Sequence, residues 1–290
     1  MELNAIEKIK RQIVLALFSD DTLMDILVLK GGNALNVIYK ISDRASIDLD
    51  FSIHGDIDSL EEFAARVQKT LQKTLLDCDY VVFDFKFQKR PQVVADESPA
   101  FWGGYDVVFK IIEKAKYEQF CTSIEVLRRN ATAITSDHQK NFVIQISKHE
   151  FCEGKKEVDL DGLTVYVYSP EMIVFEKFRS ICQQMREYQY RRKTSTARAR
   201  DFFDIYTVMH SFSVDLASDY NLMLMKGVFE AKAVPLALLK LLNDYREFHR
   251  PDFTAVRNTV TSHVQLLTYD DYFDFSLATA DSLCQALGVV

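Results

Sequence analysis

Two aspartates, Asp48 and Asp50, stand one residue apart in the stretch SIDLDFSI. Ile47, Leu49, Phe51 and Ile53 alternate there with Ser46, Asp48, Asp50 and Ser52, the period of a half-buried strand. On such a strand both carboxylates leave the same face, roughly 7 Å apart at Cα. Acids this close repel, and one takes a proton unless a cation lies between them. Magnesium suits the gap, because it prefers hard oxygen ligands and shares its shell with substrate phosphates. Upstream, ILVLKGG reads as a short buried strand running into a double-glycine turn, and NALNVIYKI as a helix after it. Without Cβ atoms, Gly31 and Gly32 let backbone amides approach a phosphate, and the helix start adds partial positive charge. D-x-D alone is common as ordinary polar alternation. Strand, glycine turn, helix and D-x-D strand together form a recipe for holding a nucleoside triphosphate with its metal.

A second set of residues lies further along. PEMIVFEKFRSI has a helical period and sets Lys177 among Ile173, Val174, Phe175, Phe178 and Ile181, so its ammonium is partly desolvated and seeks an anion. After a loop, RARDFFDIY opens another helix with Asp201 at its start, where the helix dipole favours a carboxylate, and Asp204 follows. Two readings stay open. Lys177 meets substrate phosphate with Asp201 in support, or it forms a helix-to-helix salt bridge with Asp201 or Asp204. The segment between, MREYQYRRKTSTARAR, carries Arg186, Arg191, Arg192, Lys193, Arg198 and Arg200 against Glu187 alone. It is either a solvated loop or a surface for RNA phosphates or the triphosphate, assisted by stacking on Tyr188 and Tyr190.

The elements that must position these groups follow from periodicity. Ile6, Ile9, Ile13 and Leu17 mark a helix over 3–18, and Ser59 with Glu62 caps another running to about Leu76. Strands are expected at 80–88, 105–112, 141–147 and 163–169, and from Pro170 the pattern turns helical, over 170–190, over 199–212 and beyond. The expected organisation is a mixed α/β half at 1–168 and a helical half at 169–290, tightly packed. The 290 residues are 48% hydrophobic and 27% charged, as in a soluble globular protein, with no apolar run long enough for a bilayer and no signal-peptide pattern. A cytoplasmic protein with no membrane partner is expected. Five scattered cysteines suit neither a disulfide framework nor a zinc site. The net charge of -7 means that a polyanionic partner must meet a local basic patch.

KGGNAL followed by DRASIDLDF resembles the nucleotidyltransferase signature of the AbiEii/AbiGii toxin family, the toxin half of type IV toxin–antitoxin and abortive-infection systems, within the polymerase β-like superfamily. The family form is K-G-G-[ST]-x-L, then R-x-S-x-D-[IL]-D-F. The chain matches at Lys30, Gly31, Gly32, Leu35, Arg44, Ser46, Asp48, Leu49, Asp50 and Phe51. Asn33 departs from it, offering an amide that can bond a phosphate but no hydroxyl. The resemblance implies an α+β fold: a polymerase β-like nucleotidyltransferase core with a mixed sheet, then a helical C-terminal half carrying the Lys and second Asp motifs. It implies transfer of a nucleoside monophosphate from an NTP to RNA, the tRNA 3′ end above all. Asp48 and Asp50 would hold Mg2+ or Mn2+, and Lys30, Gly31, Gly32, Asn33, Arg44, Ser46 and Lys177 would bind the nucleotide. Lys177 and Asp201 would join the acid pair in catalysis, with Asp204 in support.

A cognate antitoxin would be encoded nearby, without need of direct contact. The superfamily commonly uses a third carboxylate where this chain has Gln145. Asp106 and Asp84 are substitutes; otherwise the base role falls to Asp50, Asp201 or Asp204, or the enzyme is slow or inactive. Two other functions stay open: transfer to a protein hydroxyl, and a non-catalytic nucleotide- or RNA-binding module. His149 and His210 read as structural.

Overall fold

Leu3–Phe18 forms α1, and Ile6, Ile9, Ile13 and Leu17 are buried at the helical spacing. The computed structural model describes residues 3–41, 48–92, 99–135, 138–191, 194–260 and 265–289. After α1 come α2 (Asp21–Ile26), β1 (Val28–Lys30), the single turn α3 (Gly31–Asn33), β2 (Leu49–Ser52) and α4 (Leu60–Asp77). A long hairpin follows, β3 (Tyr80–Arg90) and β4 (Gly104–Glu113), then α5 (Lys114–Phe120), α6 (Ile124–Asn130) and β5 (Phe142–Ser147). β6 (Lys155–Leu160) and β7 (Leu163–Tyr168) make a second hairpin. Thereafter, among the described residues, the regular elements are helices. The main ones are α7 (Pro170–Cys182), α8 (Ala199–Ser211) and α9 (Asp219–Glu230). A 3-10 stretch (Leu236–Tyr245), α10 (Arg246–His249), α11 (Phe253–Thr259) and α12 (Tyr269–Leu287) complete the chain.

The seven strands form one sheet in the order β3-β4-β5-β2-β1-β7-β6. β2 with β5 and β1 with β7 run parallel, and the other neighbours run antiparallel, so the sheet is mixed and the fold is α+β as expected. One continuous apolar core joins sheet residues such as Phe51, Ile144 and Val167 to helix residues such as Phe175, Phe202 and Phe273. Ser169 caps α7 by accepting a hydrogen bond from the Met172 amide, and Pro170 takes the first helical position, where its missing N–H is harmless.

Several local expectations need correction. The helix expected over 33–41 is instead α3 running into a π-turn at Ala34–Ile38. The helix expected over 170–190 ends at Cys182, where the Gln183 amide turns back to Arg179. β6 has no counterpart in the sequence reading: KKEVDL is an edge strand with half its residues exposed, and edge strands carry charge that hides their alternation.

Candidate active site

The strand register assembles one polar row across the sheet. Lys30 lies opposite Asp50, Asp50 opposite Gln145, and Gln145 opposite Asp106. Directly opposed residues share a face, so four strands contribute to one floor. Asp48 joins the row from just before β2, with Gln145 Nε2 donating to its Oδ2 at 3.2 Å. Arg90 completes this edge, its Nη1 donating to Gln145 Oε1 at 2.6 Å and its Nε standing 3.0 Å from Asp106 Oδ1. Asp84, the other substitute for a third carboxylate, is held elsewhere by Lys110 and Arg128 and does not line the cleft.

The acid pair meets the glycine bend. Gly31 has φ +67, and a Cβ on it would sit 2.7 Å from Asp50 Oδ2, so any side chain there would displace the carboxylate. Asn33 takes a different part from the one expected of its amide. It is fully buried, does not line the cleft, and donates its side-chain N–H to the Asp48 carbonyl. It holds the acid strand in place rather than facing a phosphate.

Burial pushes the Asp50 carboxyl up to about 6; Glu176 and Asp48 add to the rise, while Lys30 and Lys177 oppose it. The Asp48 carboxyl is also raised, by burial and then by Asp106, against Arg90, Lys10 and Arg200. Negative charge on this pair is therefore disfavoured as it stands. Two hard oxygen donors in that condition fit a divalent cation, which would favour the ionised forms. Among the described residues, no group of three or more His, Cys, Asp or Glu is gathered for a metal. The protein would thus supply two carboxylates and leave the remaining positions to substrate and water, as magnesium tolerates.

Lys177 stands across the cleft, where its charge reaches Asp50. Its Nζ lies 2.8 Å from Asp201 Oδ1 and 2.7 Å from Asp204 Oδ2, the helix-to-helix salt bridge left open by the sequence. Lys177 and Asp201 also line the cleft, whereas Asp204 is fully buried behind them. Burial alone would raise the Asp201 carboxyl, but Arg198 and Lys177 outweigh it and hold the group below the usual carboxylate range. Arg198 bonds the second Asp201 oxygen, and its backbone amide donates to His249 Nδ1 at 3.1 Å.

A third cluster was not singled out from the sequence. Lys30 lies 3.4 Å from Glu150 and 3.9 Å from Glu176, and Arg179 bridges the same two acids at 3.1 and 3.2 Å. Lys232 arrives from beyond α9, 3.5 Å from Glu150. Burial would raise Glu150, but Arg179, Lys30 and Lys232 bring it down to about 2. The spacing of Glu176 and Arg179 in an apolar helical run was a usable signal, since charges three apart meet on one helix face. Glu150 and Lys232 had none, being partnered only across the fold.

These groups surround a cleft of about 560 Å³ whose lining includes Lys30, Arg90, Lys177, Arg179, Arg198, Arg200 and Lys232. Five carboxylates share the lining, so the cleft is net cationic in a chain of charge -7. Gly31 and Gly32 line it too. Of the basic segment, Arg198 and Arg200 reach the cleft, while Arg186 and Arg191 are exposed and do not line it. Arg44, Ser46, Arg192 and Lys193 lie outside the described residues. His149 and His210 do not line this cleft; His210 stacks on Tyr206 at 3.8 Å.

An acid pair on a mixed sheet, seated at a glycine bend and faced by cations, is an arrangement for handling a polyphosphate. A family model for the nucleotidyl transferase AbiEii toxin of type IV toxin–antitoxin systems matches residues 12–275, nearly the whole chain. The chain belongs to this family. Among solved structures, JHP933 from Helicobacter pylori is 19% identical, with 99% of this chain and 93% of that chain covered and a TM-score of 0.48. MenT4, a nucleotidyltransferase toxin from Mycobacterium tuberculosis, is 15% identical over 99% of this chain and 92% of that chain, with a TM-score of 0.47. No curated protein matches the chain.

Proposed function

We propose that this protein transfers a nucleoside monophosphate from an NTP to an RNA hydroxyl, with the tRNA 3′ end as acceptor, and releases pyrophosphate. One observation carries the reading: the Asp50 carboxylate rests against the Gly31 bend, beside Asp48, in a cleft whose opposite wall presents Lys177. Asp48 and Asp50 would hold Mg2+, with Mn2+ as a substitute. Bound there, the ion would neutralise phosphate charge and favour in-line attack at the α-phosphorus.

The chain's own groups do the rest. Backbone at Gly31 and Gly32 admits the β- and γ-phosphates closely, because no Cβ intervenes. Lys30, tied to Glu150 and Glu176, keeps positive charge at the foot of the acid row. Lys177 shifts from Asp201 and Asp204 toward the leaving pyrophosphate, and Arg198 keeps Asp201 charged while it does so. Arg200, exposed at the rim, meets acceptor phosphates. The division at 168/169 separates the acid floor from the lysine wall. A cognate antitoxin, a role in growth arrest or abortive infection, and a cytoplasmic site of action complete the proposal. No helix among the described residues is long and apolar enough to cross a membrane.

The test incubates the protein with each labelled NTP, Mg2+ and total cellular RNA, with Asp48→Ala in parallel. Label is expected on small RNA and absent with the variant. Product that survives RNase but not protease would move the acceptor to protein, and equal labelling by both proteins would remove the site.

A further inference from the structure

We infer that Phe101, Trp102 and Tyr190 form the nucleobase wall of the cleft, gripping the base of the incoming NTP by its face rather than reading its edge. This rests on the reading of the cleft as an NTP site. All three side chains belong to residues lining the cleft, and the Phe101 and Tyr190 rings meet edge to face with centroids 5.3 Å apart. Tyr188 packs against Tyr190 at 6.0 Å and donates its hydroxyl to the Lys232 carbonyl at 2.7 Å.

The register gives the wall its place. β1 and β2 are antiparallel with Lys30 opposite Asp50, so the glycine bend after Lys30 lies on the Asp48 side of the row. Gly104 lies opposite Ser147, which is two residues along β5 from Gln145, roughly 7 Å away on the other side of the row. Phe101 and Trp102 enter there. Phosphates at the bend and a base at the wall would therefore occupy opposite ends of one cleft, with Lys30 and Asp50 between them.

The wall is fixed before any ligand arrives. Lys232 Nζ donates to the Phe101 carbonyl at 2.9 Å and to the Lys148 carbonyl at 2.6 Å, tying the approach to β4 and the end of β5 to the helical half. Gly104 packs so closely on the Ile146 carbonyl that no Cβ would fit. A preorganised surface loses little entropy on binding. Two cleft-lining polar side chains that could read a base edge, Gln184 and Ser180, are already engaged. The Gln184 amide donates to the Ser180 carbonyl at 3.2 Å and accepts from the Thr196 amide at 2.9 Å, while the Ser180 hydroxyl bonds Glu176. Stacking on aromatic faces tolerates every base. Nucleotide choice by this wall follows ring area, purines ahead of pyrimidines.

Trp102 is the chain's single tryptophan, so its emission reports the wall directly. With Mg2+ present, NTPs should quench that emission, while inorganic tripolyphosphate should compete with them without quenching. By calorimetry, Trp102→Ala should weaken ATP by about tenfold or more and leave tripolyphosphate unchanged, and the four NTPs should bind within about tenfold of one another. Trp102→Phe keeps a ring and should retain most of the affinity, which separates stacking from misfolding. Equal quenching by ATP and tripolyphosphate, or a Trp102→Ala protein that loses only RNA binding, overturns the assignment. Tripolyphosphate binding with no extra affinity for ATP removes the base wall alone. Failure of both ligands to bind removes the phosphate site as well, and the wall with it.

Discussion

Asp48 and Asp50 on the sheet floor have carboxyls raised by burial, whereas Asp201, Glu150 and Glu176 are just as enclosed and have carboxyls lowered. All five are carboxylic acids and burial raises each of them, so the difference lies in the cations around them. Glu150 has Arg179, Lys30 and Lys232, and Asp201 has Arg198 and Lys177. Asp50 feels Lys30 and Lys177 only at a distance, and Glu176 and Asp48 push the other way. One group of acids holds the protein's own lysines and arginines in position. The other, raised by burial, is the pair to which the proposed function assigns a cation.

The sharpest way to break this contrast is Asp50→Asn. NMP transfer should fall by on the order of 10²–10³ or more, while the melting temperature holds or rises because a disfavoured buried charge is gone. A variant that unfolds instead would place Asp50 among the structural acids. Glu150→Gln should behave in the opposite sense. It leaves Lys30, Arg179 and Lys232 with Glu176 as the remaining acid of the cluster, and denaturant unfolding should show a loss of about 3–5 kcal/mol. A Glu150→Gln protein of undiminished stability but without activity would shift Glu150 to the catalytic side.

The smallest effect is a separation on the pH axis. Asp50 takes a proton as pH falls through about 6, so Mg2+ affinity and transfer should drop there. In the same window the folded state binds that proton better than the unfolded chain does, so stability gains from it. Glu150, lowered to about 2, contributes stability that is complete above its unfolded value near 4.3 and lost as pH falls toward 2. Activity should therefore disappear with the fold intact. Activity and ellipticity measured on one pH series would test it, and a single coincident transition would refute the separation.

The parts of this site that could be read from the sequence are those set by short-range geometry. Asp48 and Asp50 share a face because a strand alternates, and Gly31 and Gly32 follow that strand's neighbour directly. Lys177 stood out because a charge in an apolar helical run needs a partner, and its two candidate partners were the right ones. What stayed hidden depends on distant pairing. Glu150 follows β5 with nothing in its neighbours to suggest that Lys30, Arg179 and Lys232 converge on it. Asn33 looked like a phosphate ligand because its position in the motif is known and its rotamer is not; the fold turns it inward to the Asp48 carbonyl. The segment after Cys182 continued to look helical because Met185 and Tyr188 keep the apolar period, although they pack as buried residues outside any helix.

Lys232 also bears on the order in which the cleft can be completed. The acids and the bend lie within the sheet half, but the two hydrogen bonds from Lys232 to the far end of the cleft come from a residue that leaves the ribosome much later. A nascent chain that stops short of it carries the acid floor without that clasp.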